Sequence, residues 1–143
     1  MSAPYFLDAN VVLYAVGRPS AYTEPCRQVL TAIGKGTCRG VADVNIIQEI
    51  LHVALRKGRL EAGLAAIDAL LDIVAVLPVE AADVPAMLDL ARSVPGLDAQ
   101  DALHLAVMRR YGISHIITAD RRYAGVSDLT VLDPHTAAAL LGA

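Results

Sequence analysis

Short apolar runs alternate with helical stretches along this chain, and that alternation restricts the fold more than any other feature. Tyr5-Phe6-Leu7 ends at Asp8, and the run over 73–77 is stopped by Pro78. Further strands are predicted over 38–42, 115–118 and 130–132. Helices are predicted over 11–16, from Pro25 to about residue 33, and over 44–56, 60–71, 81–93, 98–111 and 134–141. In the third of these, Ile46, Ile47, Ile50, Leu51 and Ala54 recur at helical spacing, and Asp43 stands where a cap belongs. Strands separated by helices need crossover connections, which makes the sheet parallel and places helices on both its faces. The fold class is therefore α/β, in three layers.

A chain of 143 residues fits one domain, spanning 1–143. With 55% of residues in the apolar set, there is ample surface to bury, which excludes disorder. The richest apolar region, 60–77, is broken by Glu61, Asp68 and Asp72, whereas a membrane span needs about 20 nearly uninterrupted apolar residues. No basic residue precedes Arg18 and Asp8 interrupts the N-terminal apolar stretch, so no signal peptide is expected and the protein is read as cytoplasmic. Cys26 and Cys38 form no CxxC pair and are expected as buried free thiols. Net charge is −3, so no basic face is announced by the total. Ten of the 12 Lys and Arg residues are Arg, which suits bidentate phosphate contacts.

The informative acids are those at special places. Asp8 follows the first strand and Asp120 follows the strand over 115–118. Ligands of open parallel sheets bind at the carboxyl ends of strands, so both acids face one crevice. Asp98 and Asp101 share one side of the first turn of their helix. Glu49 lies within a helix whose other faces are largely apolar. Each has a plainer reading: Asp8 and Asp98 as helix caps, Asp120 as a turn residue, Glu49 as a solvated helix residue. Gathered together, carboxylates repel and call for a divalent cation. Oxygen ligands without cysteine favour Mg²⁺ or Mn²⁺ over Zn²⁺, and a carboxylate-held ion of that kind serves phosphodiester hydrolysis. His104 is read as a packed or hydrogen-bonded histidine rather than a ligand, and Arg109 and Arg110 as partners of the helix dipole.

Four stretches, in this order, carry a resemblance: Phe-Leu-Asp8-Ala-Asn10, Gln48-Glu49-Ile-Leu, Asp98-Ala-Gln-Asp101-Ala-Leu-His-Leu-Ala, and Ile117-Thr118-Ala-Asp120-Arg-Arg. Together they resemble the PIN-domain family, and most closely the VapC-type toxin ribonucleases of toxin–antitoxin pairs. The resemblance implies a five-stranded parallel sheet in order 3-2-1-4-5, which makes the Asp8 and Asp120 strands neighbours. It implies an acidic quartet, Asp8, Glu49, Asp101 and Asp120, holding one or two Mg²⁺ or Mn²⁺ ions, with Glu49 bound directly or through water. It implies supporting roles for Asn10 and Thr118, and leaves Asp98 as an additional acid beside the quartet. The activity implied is hydrolysis of RNA phosphodiesters by a metal-activated water, leaving 5′-phosphate and 3′-hydroxyl ends. Arg121 and Arg122 are candidates to hold RNA phosphates. A VapB-like antitoxin and a homodimer are the implied partners, with the helices over 60–71 and 81–93 as candidate interface.

Two rival readings are weighed against it. A haloacid-dehalogenase-like phosphatase needs a second Asp where Asn10 stands, and a lysine near the site, whereas the lysines are Lys35 and Lys57. A catalytically silent PIN-like binding module would have little reason to keep four costly acids together.

Overall fold

The computed structural model describes residues 3–142. The chain runs β1 (Tyr5–Leu7), α1 (Ala9–Val16), α2 (Thr23–Gly34), β2 (Gly40–Asp43), α3 (Val44–Arg56), α4 (Leu60–Leu71), β3 (Val74–Leu77), α5 (Asp83–Ser93) and α6 (Ala99–Arg110). It continues through β4 (His115–Ile117), a single 3₁₀ turn (Arg121–Gly125), β5 (Thr130–Leu132) and α7 (Pro134–Leu140). The five strands form one sheet in order β3-β2-β1-β4-β5, and every pairing is parallel. That is the order the resemblance implied. Phe6 lies opposite Val41 on one side and Ile116 on the other, so the three central strands end together.

Helix packing explains the sheet's fully buried centre. Phe6, Leu7, Ala42, Ile116 and Ile117 have no exposed surface, and Val29, Ile46, Leu90, Leu105 and Met108 cover them from the helices. Burial on both faces is what parallel strands require, and it produces apolar runs rather than alternation. Gly40 opens β2 because a Cβ there would stand 2.9 Å from Ile33 Cδ1, so the close approach of α2 excludes a side chain. Cys26 and Cys38 are free and buried, as expected, and burial pushes the Cys26 thiol up to about 12.

Several boundaries differ from the sequence expectations. Helix α1 starts at Ala9 rather than residue 11, because Asp8 caps it by accepting from the Ala9 N–H at 2.8 Å. Helix α2 starts at Thr23, two residues before Pro25, because a first-turn proline forfeits no helical hydrogen bond. Strand β2 starts at Gly40 rather than residue 38, and α5 at Asp83 rather than residue 81. The 3₁₀ turn after Asp120 was not expected; Asp120 starts it by accepting from the Arg122 N–H at 2.9 Å. Arg110 does more than complement the dipole of α6. It donates to Asp83 through Nε at 2.7 Å and Nη2 at 3.0 Å, and to the Pro78 carbonyl at 2.6 Å, tying α6 to the start of α5. Among the described residues, no helix is long and apolar enough to cross a membrane.

Candidate active site

Three strand ends deliver the site. At the end of β1, Asp8 is buried, and its Oδ2 accepts from Thr118 Oγ1 at 2.7 Å and from Asn10 Nδ2 at 3.4 Å. Thr118, just past β4, uses its whole hydroxyl: it donates to Asp8 and accepts from Asn10 Nδ2 at 3.1 Å and from the Asp120 N–H at 3.0 Å. Asn10 closes the loop by accepting from the Ala119 N–H at 3.1 Å. The ends of β1 and β4 are thus tied by side chains as well as by the ladder. Burial pushes the Asp8 carboxyl above its ordinary range, and the Thr118 hydrogen bond opposes that rise.

At the end of β2, Asp43 has no exposed surface. One oxygen accepts from the Ile46 N–H at 2.8 Å and caps α3; the other lies 2.7 Å from His104 Nδ1. The far nitrogen of that imidazole, Nε2, lies 2.6 Å from Glu49 Oε1. Carboxylates only accept, so both ring nitrogens carry protons and His104 is an imidazolium. Burial opposes the charge, but the two carboxylates outweigh it and push His104 up to about 10. The Gln100 amide, turned with its nitrogen toward Glu49, donates to that carboxylate at 2.7 and 3.1 Å.

The remaining acids cluster around Arg122. Asp98 and Asp101 form a reciprocal capping box at the start of α6, with N–H to oxygen distances of 2.8 and 3.2 Å. Asp101 also accepts from the buried Tyr123 hydroxyl at 3.0 Å. Burial, then the neighbouring Asp98 charge, push Asp101 up to about 6. The Arg122 guanidinium meets Asp98 at 2.7 Å, Asp101 at 3.2 Å, and Asp120. Expected at RNA phosphates, it is the counter-ion of three acids at the surface of the site, whereas Arg121, also exposed, has no acidic partner among the described residues.

The four predicted acids therefore fall into two groups. Asp8 and Glu49 stand together, with one ligand atom each from Asp8, Glu49 and His104 within 4.8 Å of one another. Asp101 and Asp120 stand together through Arg122. Thr118 links the groups, bonding both Asp8 and the Asp120 backbone. The donor set fits a hard divalent cation, being rich in buried carboxylate oxygens that already attract two cationic side chains. His104 ties Glu49 to Asp43 through its two ring nitrogens, the hydrogen-bonded histidine the sequence led us to expect. Sequence reasoning missed Asp43 as more than a cap, and missed Gln100. The signal for Asp43 was available: it ends a strand, as Asp8 does.

A doubly covered parallel sheet whose central strand ends converge on carboxylates defines a class, the PIN-type domain. The family model described as PIN domain matches residues 5–129. Ribonuclease VapC23 of Mycobacterium tuberculosis is 38% identical over 122 residues, covering 83% of this chain and 94% of the relative. Ribonuclease VapC13 of the same organism is 34% identical over 127 residues, covering 86% and 97%. Among solved structures, DNA-bound VapBC from Salmonella typhimurium superposes with a TM-score of 0.71 at 14% identity, covering 93% of this chain and 99% of that one. Mycobacterium tuberculosis VapC20, a sarcin-ricin loop cleaving toxin, gives 0.68 at 20% identity, covering 87% and 98%. This chain belongs to the PIN-domain family, in its VapC branch.

Proposed function

We propose that this chain is the endoribonuclease toxin of a VapBC-type pair, hydrolysing RNA phosphodiesters with Asp8, Glu49, Asp101 and Asp120 around one or two Mg²⁺ or Mn²⁺ ions. The observation that carries this is the cluster of buried Asp8, at the end of β1, with Glu49 of α3, next to the adjacent β4 end that leads to Asp120, in a chain 38% identical to a ribonuclease. A divalent ion held there would make water a stronger nucleophile and offset phosphate charge. The chain's own residues do the rest. Thr118 and Asn10 fix the carboxylate of Asp8 in one orientation. His104, anchored on Asp43, fixes Glu49. Tyr123 holds Asp101 from within the core. Asp98 shares the Arg122 charge and keeps the start of α6 aligned with the crevice. The products would carry 5′-phosphate and 3′-hydroxyl ends.

A toxin of this kind acts on cytoplasmic RNA and is kept silent by a VapB-like antitoxin; a homodimer is the expected assembly. The solved VapBC complexes that share this fold support the antitoxin partner.

The test is incubation of purified protein with a mixed RNA pool, with Mg²⁺, Mn²⁺ or a chelator, beside Asp8→Asn. Cuts that need metal, leave 5′-phosphates and vanish in Asp8→Asn are expected. Equal cutting by both proteins, or cyclic-phosphate ends formed under chelation, would defeat the proposal.

A further inference from the structure

We propose that the groove between the α1–α2 loop and the α3–α4 loop is the track of the RNA strand beside the cut site. Arg18, Lys57 and Arg59 would hold its phosphates and Tyr14 would hold a base. The proposal rests on the ribonuclease reading and deepens it by saying where the flanking nucleotides lie.

The groove has a volume of about 790 Å³, and Asn10, Tyr14, Arg18, Lys57 and Arg59 line it beside the apolar Leu13 and Pro19. Asn10 is the connection to the chemistry, because its amide bonds Asp8 and Thr118. A strand lying in the groove therefore leads directly to the carboxylates. Arg18, Lys57 and Arg59 are exposed, and among the described residues none of them has an acidic partner. No acidic residue lines the groove. This contrasts with Arg110 and Arg122, which are spent on internal carboxylates. Three uncommitted cations converge on one cavity in a chain whose net charge is −3. That arrangement suits a polyanion.

The aromatic element is also prepared. Tyr14 stacks on Tyr22 with ring centroids 4.9 Å apart and an interplanar angle of 29°, and stays 36% exposed. Tyr22 is itself held, its hydroxyl donating to Asp133 at 3.0 Å. The α1–α2 loop is tied at Ser20, whose N–H donates to Thr23 Oγ1 at 2.9 Å and whose hydroxyl accepts from the Tyr22 N–H at 3.1 Å. A stacking face and cations on ordered loops lose little freedom on binding. Three unpaired cations with no acidic residue beside them favour RNA over a protein helix as the occupant.

The experiment measures binding of a fluorescently labelled, mixed-sequence 20-nucleotide single-stranded RNA by anisotropy, in chelator so that nothing is cut, across a range of salt. Replacing all three cations, as Arg18→Ala, Lys57→Ala and Arg59→Ala together, is expected to weaken binding at least tenfold. The slope of log affinity against log salt should become shallower by about 2, at ~0.7 per lost phosphate contact. Tyr14→Leu should weaken binding about tenfold with the salt slope unchanged. The conservative pair Arg18→Lys with Arg59→Lys should keep the slope, which separates lost charge from lost fold. Wild-type affinity and slope in the triple variant would overturn the proposal, and would hand the groove to a protein partner. The same proteins are then given the RNA pool with Mn²⁺. If the wild type cuts while the triple variant binds and cuts equally well, the groove fails and the hydrolase reading stands. If groove-dependent binding is found without any cutting, the hydrolase reading fails and the groove stands.

Discussion

Two cationic side chains do at the residue scale what a metal does in a loaded carboxylate site. His104 bridges Asp43 and Glu49 at 2.7 and 2.6 Å, with 1% of its own surface exposed. Removing it strands the fully buried Asp43, so His104→Ala should cost about 3–5 kcal/mol in urea unfolding. The pH dependence has a definite sign. His104 is raised to about 10, so the native state holds a proton that the unfolded chain releases near 6.5. The stability it contributes is complete below the unfolded value and is lost as pH rises toward 10. His104→Asn should therefore flatten the decline in stability between those limits; an unchanged decline would show a neutral imidazole. Arg122 occupies the other half of the crevice, paired with Asp98, Asp101 and Asp120. A divalent cation held by Asp101 and Asp120, as proposed, would share those carboxylates with it. Arg122→Ala is expected to lower the melting temperature in chelator and to enlarge the rise that Mn²⁺ produces. A smaller Mn²⁺ response than wild type would mean that the guanidinium assists metal binding.

Among the elements, the α3–α4 crossing shows how packing reverses a local preference. Glycine within a helix is ordinarily about 1 kcal/mol worse than alanine. At Gly63 a Cβ would come 2.3 Å from the Ala54 Cβ of α3, far inside any real contact. Gly63→Ala should thus destabilise by about 1–3 kcal/mol, by forcing the two helices apart. Stabilisation in denaturant titration would show that the helices separate freely. The Asp83–Arg110 pair fixes a second junction, and hydrogen bonding from Arg110 holds Asp83 below the usual carboxylate range. Its contribution is present above the ordinary Asp value near 3.9 and is lost as pH falls through the lowered one.

For the whole molecule, charge is sorted rather than scarce. Acids collect at the strand ends while unpaired cations line the groove beside them. Apolar surface is exposed as well: Leu60, Leu64 and Leu71 of α4 and Val84 and Leu88 of α5 lie on the helices expected to form an interface. Light scattering on the free protein should give twice the chain mass of 15.1 kDa, and Leu64→Glu should shift it toward one copy. A monomeric wild type would remove the dimer.

The sequence by itself determined the strands, the helices and the layered α/β class. Apolar runs ending in Asp8 and Asp43, and helix caps at Asp98 and Asp133, are local signals, written within a few residues of the element they specify. The four acids proposed for the site stand out in the sequence because their motifs are contiguous. Tertiary structure alone decided what each acid touches. His104 lies 61 residues from Asp43 and 55 from Glu49, and Thr118 lies 110 from Asp8. Nothing in local periodicity records such pairings, because they depend on which strands lie side by side and on how closely their ends converge. For the same reason Arg122, a surface cation in sequence and half-exposed in the fold, is committed to acids: the 3₁₀ turn that follows Asp120 carries it back over three carboxylates whose repulsion it relieves.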